Sequence, residues 1–234
     1  MKKTNIILDL DNTLMDYKYT DKYAMECVYE ILGIPFSDEE YERFYDFEGF
    51  YWRQFEDSKQ ELDTHGMERI DYVRSKIYQD YFGEHIVPLS LGYELMVTYI
   101  KNLGVKNKLY EDVEDILKYL HESYNLYIAS NGPHESQERK LKNTDILKYF
   151  KGIVTSEDAM YSKPKQEFFD YLIRIYDIVP RESVFIGDSL TSDILGANNN
   201  NMYSIWYNRN RIKNNTSIIP KKEIHDLKVL KRIL

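Results

Sequence analysis

Short apolar runs that stop abruptly in polar clusters recur along this chain, and that pattern limits the fold more than any single motif. Ile6-Ile7-Leu8 runs into Asp9-Leu10-Asp11-Asn12-Thr13, Leu126-Tyr127-Ile128-Ala129 into Ser130-Asn131-Gly132, and Val184-Phe185-Ile186 into Gly187-Asp188. A continuous apolar run of this length reads as a strand buried on both faces, the usual state in a parallel sheet. Parallel neighbours need crossover segments, and the sequence supplies helical patterns at Glu111–His121, His134–Lys142, Lys165–Tyr176 and Leu190–Asn199. Further strands are expected at Gly152–Thr155 and Met202–Trp206, with a last short strand and helix in Ile218–Leu234. The alternation predicts an α/β fold: a Rossmann-like parallel sheet core with helices on both faces and right-handed crossovers.

One segment breaks the alternation. From Tyr17 to about Tyr99 the pattern is helical, with polar breaks and no convincing strand. The spacing of Tyr23, Met25, Cys27, Val28, Ile31 and Leu32 is amphipathic, and Gly33 and Pro35 end that helix. Ser37 and Glu40 have the spacing of a capping box at the start of the next. Further helices are expected at Met67–Phe82, ended by Gly83, and at Leu91–Leu103. The expected organisation is a core of residues 1–16 and 100–234 interrupted by an all-helical cap, 17–99.

The chain has 234 residues, ample for a sizeable core, and a net charge of −8. That acidic balance argues against a general nucleic-acid or membrane-surface binder, which would carry a basic patch. Cys27 is the only cysteine, so no intramolecular disulfide is possible and a reducing compartment is the simpler reading. No stretch has the length and apolarity of a membrane span or a leader. The expectation is a cytoplasmic protein with a small-molecule substrate, and no protein partner is indicated. His65, His85, His121, His134 and His225 show no metal-ligand spacing.

The polar clusters at the strand ends share one chemical theme. In open α/β sheets, ligands sit beyond the carboxyl ends of the strands, so Asp9 and Asp11 are delivered to the place where such a fold does chemistry. One carboxylate can attack phosphorus; a second can protonate the leaving oxygen and then activate water. Ser130 and the backbone at Asn131, at a strand-to-helix turn, suit a phosphate oxygen. Lys163, before Pro164 and a helix start, would be a fixed positive charge. Asp188 and Asp193, five positions apart, are hard oxygen donors of the kind Mg²⁺ takes together with substrate phosphate. Read singly, each cluster would be a turn, a helix cap or a surface lysine. Read together, they describe one site.

This set, Asp9-Leu-Asp11-Asn-Thr13, Ser130-Asn131-Gly132, Lys163-Pro164 and Gly187-Asp188 with Asp193, resembles the haloacid dehalogenase superfamily of phosphatases across essentially the whole chain. Tyr51-Trp52-Arg53-Gln54-Phe55-Glu56, Thr155-Ser156-Glu157-Asp158 and Trp206-Tyr207-Asn208 are similar to the pyrimidine 5′-nucleotidase branch, although Arg209 stands where that branch usually has Pro. The resemblance implies that Asp9 is the nucleophile and a Mg²⁺ ligand, and that Asp11 is the general acid/base whose backbone carbonyl is a second ligand. It implies Asp188 as a third ligand, Asp193 acting through water or orienting Lys163, and Ser130, Asn131 and Lys163 as the phosphoryl-binding set. Thr13 would support Asp9. In the cap, Trp52 and Arg53 would contact the base or sugar, beside an aromatic wall of Phe44, Phe47, Phe50, Tyr51 and Phe55; packing of Trp52 in the cap interior is an equal alternative. The implied activity is Mg²⁺-dependent hydrolysis of pyrimidine nucleoside 5′-monophosphates through an aspartyl-phosphate. A phosphatase or mutase acting on a sugar phosphate is the competing enzyme reading, and a non-catalytic domain binding a phosphorylated ligand is the third.

Overall fold

Six parallel strands form one sheet among the described residues: β1 (Asn5–Leu8), β2 (Asn125–Ser130), β3 (Gly152–Thr155), β4 (Ser183–Gly187), β5 (Tyr203–Tyr207) and β6 (Lys222–Ile224), in the order β3-β2-β1-β4-β5-β6. The structure is a computed structural model that describes residues 4–57 and 69–234, without the side chains of residues 53–57, 69 and 70. The chain divides into two compact units, Met1–Tyr19 with Lys106–Leu234, and Thr20–Val105.

In the first unit the period of two along each strand decides which side chains face which layer. Ile6 and Leu8, Leu126 and Ile128, and Val184 and Ile186 pack on one face with Val113, Ile116, Leu117 and Leu120. Ile7, Tyr127, Ala129 and Phe185 pack on the other with Phe168, Phe169 and Leu172. Both faces are covered, which is why these strands read as unbroken apolar runs. The register sets Leu8 beside Ile128 on one side and Ile186 on the other, so the chain leaves β1, β2 and β4 at nearly the same level. β1 is also where the strand order reverses, the position at which sheets of this kind open a crevice for ligands.

All the regular elements of the second unit's described residues are helices. α1 (Tyr17–Leu32) leads into it, followed by α2 (Asp38–Asp57), α3 (Arg69–Phe82) and α4 (Leu89–Asn102). Gly33 (φ +64) and Gly83 (φ +91) supply the left-handed backbone that stops α1 and α3. Ser37 Oγ accepts from the Glu40 N–H at 3.2 Å and starts α2. The expected helix start at Met67 lies outside the described residues. An aromatic core holds the unit: Phe44 stacks on Tyr78 at 5.6 Å and meets Tyr81 edge-on at 5.0 Å, and Tyr29 contacts Phe36 and Phe82. Phe44 is 1% exposed, so this member of the expected aromatic wall packs the unit's own interior. Asp21, fully buried, accepts hydrogen bonds from the Tyr41 hydroxyl at 2.7 Å and from Tyr99.

The remaining helices belong to the first unit: α5 (Val113–His121), α6 (His134–Asn143), α7 (Ser156–Ala159), α8 (Gln166–Tyr176), α9 (Leu195–Asn199) and α10 (Leu230–Ile233). Three expectations are corrected. α5 starts two residues late because Asp112 takes a left-handed conformation at its N-cap. α8 begins at Gln166, so Pro164 lies in the preceding turn, after a cis Lys163–Pro164 bond, rather than in the first helical turn. The expected helix from Leu190 opens as a wide π-type turn, Leu190–Ile194, before α9. The short α7 falls where no helix was expected; Thr155 and Asp158 close a reciprocal capping box around it.

Candidate active site

Asp9 follows the last residue of β1 and its N–H donates to Ile186 O at 2.9 Å, so the backbone is still tied to β4 where the carboxylate emerges. The chain then turns tightly through Asn12, whose φ of 63° lies in the left-handed region that Asn tolerates. The Asn12 N–H donates to Met15 O at 2.8 Å and the Leu14 N–H to Leu10 O at 2.9 Å. That turn brings Thr13 back over the strand end, where its hydroxyl, fully buried, donates to Asp9 Oδ2 at 3.1 Å.

The other oxygen of Asp9 accepts from Lys163 Nζ at 2.7 Å. Lys163 is 3% exposed, and its ammonium also donates to Asp193 Oδ1 and to Ala129 O, both at 2.7 Å. All three ammonium protons therefore have partners. The loop carrying Lys163 is pinned by Asn131, whose Nδ2 donates to Lys163 O at 3.1 Å and whose Oδ1 accepts from the Lys163 N–H at 2.8 Å. Asp193 reaches Lys163 because the wide turn after β4 folds it back over Gly187, where a Cβ would collide with its carboxylate. Its second oxygen accepts from the Ser189 N–H at 3.1 Å. Trp206 Nε1 donates to Asp188 O at 2.7 Å and ties the end of β5 to the same corner.

Carboxylate oxygens of Asp9, Asp188 and Asp193 lie within 4.8 Å of one another. Burial, with the repulsion of Asp193 and Asp11, pushes Asp9 up to about 7 although Lys163 pulls it down. Burial and the neighbouring charges of Asp9 and Asp193 push Asp188 up to about 8. Burial disfavours the Lys163 ammonium, but Asp193 and Asp9 outweigh it and hold that lysine firmly charged. One buried ammonium thus stands against three close carboxylates, a donor set short of positive charge. Burial, together with the repulsion of neighbouring carboxylates that Lys163 only partly offsets, holds Asp9 and Asp188 up. A hard divalent cation fits that deficit, with Asp9 and Asp188 as its carboxylate donors.

The structure brings Asp9, Asp11, Thr13, Ser130, Asn131, Lys163, Asp188 and Asp193 together beyond the carboxyl ends of the central strands. Two polar residues not singled out in the sequence join them. Lys140 Nζ donates to Asp11 Oδ1 and Oδ2 at 2.7 and 2.9 Å, and Gln137 Nε2 donates to Asp11 Oδ2 at 2.8 Å and to Ser130 Oγ. A signal for them exists: Ser136, Gln137, Lys140 and Leu141 share a face of α6 with only one apolar residue among them, so a covered α6 must bury polar groups. Trp52 belongs to the other unit, half-buried, with its indole N–H donating to Glu48 at 3.3 Å. The Arg53 side chain lies outside the described residues.

No helix among the described residues is long and apolar enough to cross a membrane. The sequence is 29% identical over 230 residues to a protein of Bacillus subtilis described as HAD-hydrolase YfnB, covering 98% of this chain and 94% of that one. The crystal structure of YfnB bound to magnesium matches with a TM-score of 0.84 at 28% identity, over 100% of this chain and 99% of that one. The pyrimidine 5′-nucleotidase PynA of Streptococcus pneumoniae is 27% identical over 94% of this chain and 90% of its own. A glyceraldehyde 3-phosphate phosphatase of Pyrococcus furiosus is 24% identical over 86% of this chain and 79% of its own. Residues 4–201 match the haloacid dehalogenase-like hydrolases, and this chain belongs to that family.

Proposed function

We propose that this protein is a Mg²⁺-dependent phosphatase of small phosphate monoesters, with pyrimidine nucleoside 5′-monophosphates as its preferred substrates. The observation that carries the reading is the Asp9 carboxylate, oriented by Thr13 and Lys163 at the end of the central strand, with a second acid two residues on. Family membership and the magnesium-bound relative support the metal; the cluster of Asp9, Asp188 and Asp193 is where this chain would hold it.

In this reading Asp9 attacks phosphorus as the nucleophile and Asp11 gives its proton to the leaving oxygen. Water then attacks the aspartyl-phosphate while Asp11 takes a proton back. Bound Mg²⁺ would offset the charge of the phosphate against the acidic site. Asp9, Asp188 and the Asp11 carbonyl are its assigned ligands. Lys163 favours the ionised form of Asp9 and faces the phosphoryl oxygens, and Asp193 orients Lys163. Ser130 and the Asn131 backbone complete the phosphoryl-binding set, and the Asn131 side chain holds the Lys163 loop in place. The lone cysteine fits a reducing compartment, which we take to be the cytoplasm.

The pneumococcal relative supports nucleotides as substrates. The archaeal relative supports a sugar phosphate as the second reading. The core grips only phosphate and metal, so we assign selectivity to the helical unit, with Trp52 and Arg53 as candidates. The test is phosphate release from UMP, dUMP, dTMP, AMP, GMP and several sugar phosphates with Mg²⁺, repeated for Trp52→Ala and Arg53→Ala. A pyrimidine nucleotide should give the highest kcat/KM. A sugar phosphate at the top of the ranking refutes the nucleotidase reading. A ranking unmoved by both variants refutes the assignment of those two residues.

A further inference from the structure

α6 turns two polar side chains inward that the reaction as written does not use. Lys140 and Gln137 are both 0% exposed. The Lys140 ammonium donates to both oxygens of Asp11, at 2.7 and 2.9 Å, and stands 5.3 Å from the centre of the Tyr17 ring. The Gln137 amide bridges Asp11, at 2.8 Å, and the Ser130 hydroxyl. Gly132 makes room for that bridge, because a Cβ there would collide with the amide.

Stability is a weak reason for this arrangement. A buried ion pair gains little over apolar residues of the same volume. Gln137 Oε1 is buried with no donor, a penalty that an apolar residue at 137 would avoid. Polar groups kept under such a penalty point to a requirement for position. Here the two donors fix one object, the Asp11 carboxyl, and the bridge fixes its distance from Ser130.

We propose, resting on the phosphatase reading, that Lys140 and Gln137 are positioning residues that clamp the Asp11 carboxyl beside Ser130 for proton transfer. In the first step the bond from Asp9 to phosphorus forms, the bond from phosphorus to the leaving oxygen breaks, and that oxygen takes a proton carried by Asp11, which leaves Asp11 as the carboxylate that accepts from Lys140 and Gln137. In the second, water oxygen bonds to phosphorus, its proton passes to Asp11, and the Asp9 carboxylate departs. Both transfers need the Asp11 carboxyl in one place, and a free side chain at the start of a turn would sample several. Ser130 is assigned to the phosphoryl group, so the Gln137 bridge sets the proton-transfer group in register with the phosphorus.

The test is the single-turnover rate of phosphoryl transfer to Asp9, measured with UMP, a poor leaving group, and with p-nitrophenyl phosphate, a good one. A displaced acid slows the poor leaving group more. Lys140→Met should lower the ratio of the two rates by about 10²-fold, the lower end of what general acid catalysis contributes. Lys140→Arg, which keeps a charged donor, should restore most of that ratio, and Gln137→Leu should lower it in the same direction. Equal slowing of both substrates, an unmoved ratio, or no rescue by arginine overturns the clamp. Should Lys140→Met not fold by circular dichroism, the ratio in Gln137→Leu decides, and an unchanged ratio there overturns the proposal. A wild-type protein that releases phosphate from no monoester overturns the phosphatase reading and the clamp with it. An active wild type with an unmoved ratio overturns the clamp alone.

Discussion

Lys163 Nζ lies 2.7 Å from the Asp9 carboxylate across 154 positions of chain, and it is the only ammonium with a hydrogen bond to that carboxylate among the described residues. The same ammonium bonds Asp193, so its loss would leave the buried acids facing one another. Lys163→Met should abolish turnover and lower stability by about 3–5 kcal/mol, the usual result of removing one partner of a buried pair. Circular dichroism melts and phosphate release check both. A variant as stable as wild type would mean that the carboxylates take up protons without penalty.

Asp9→Asn keeps the shape of the side chain and removes the attacking charge. Turnover should be lost while the fold is retained, because the amide oxygen can still accept from Lys163 and the amide NH2 can donate to the Thr13 hydroxyl oxygen. The check is phosphate release beside a melting curve. Near wild-type release would rule out the covalent mechanism.

Metal binding should depend on pH in a direction set by Asp9 and Asp188. Burial and mutual repulsion hold them at about 7 and about 8, above an unfolded carboxyl at about 3.9. A raised folded value means the folded state binds protons more tightly than the unfolded chain. The stability this contributes is full below about pH 4 and is lost as pH rises through 7 and 8. A cation needs both groups ionised, so it competes with those protons. The rise in melting temperature on adding Mg²⁺ should therefore be larger at about pH 8.5 than at about pH 6. Asp188→Asn should flatten the difference, and EDTA should abolish activity until Mg²⁺ is restored. An equal Mg²⁺ effect at both pH values would place the cation elsewhere.

Gly187→Ala tests the close approach of Asp193. The added methyl would push the Asp193 carboxylate away from Lys163 and Ser189, and overpacking of this kind costs about 1–3 kcal/mol. A lower melting temperature and a lower kcat are expected together. A drop in stability with kcat unchanged would show that Asp193 does not orient Lys163 for the reaction.

Much of the core was legible because it is local. An apolar run buried on both faces identifies a parallel strand by composition alone, and Asp9, Ser130 and Asp188 stand at strand ends because the apolar run stops there. The αL turn at Asn12 and the glycine stops of α1 and α3 follow from residue type. The strand order and the contacts across it are not local. Lys140 meets Asp11 across 129 positions, and Gln137 meets it across 126. Nothing in the spacing of α6 says which buried group its inward polar residues will find; the packing of α6 decides it. The same holds for Phe44, which matched an aromatic wall by composition and went to the interior because Tyr78 and Tyr81 of α3 close over it. The sequence by itself determined which polar residues stand at the strand ends, since periodicity and turn preference act over a few residues. Tertiary structure alone decided which of them touch, because pairing across long stretches depends on how whole elements pack.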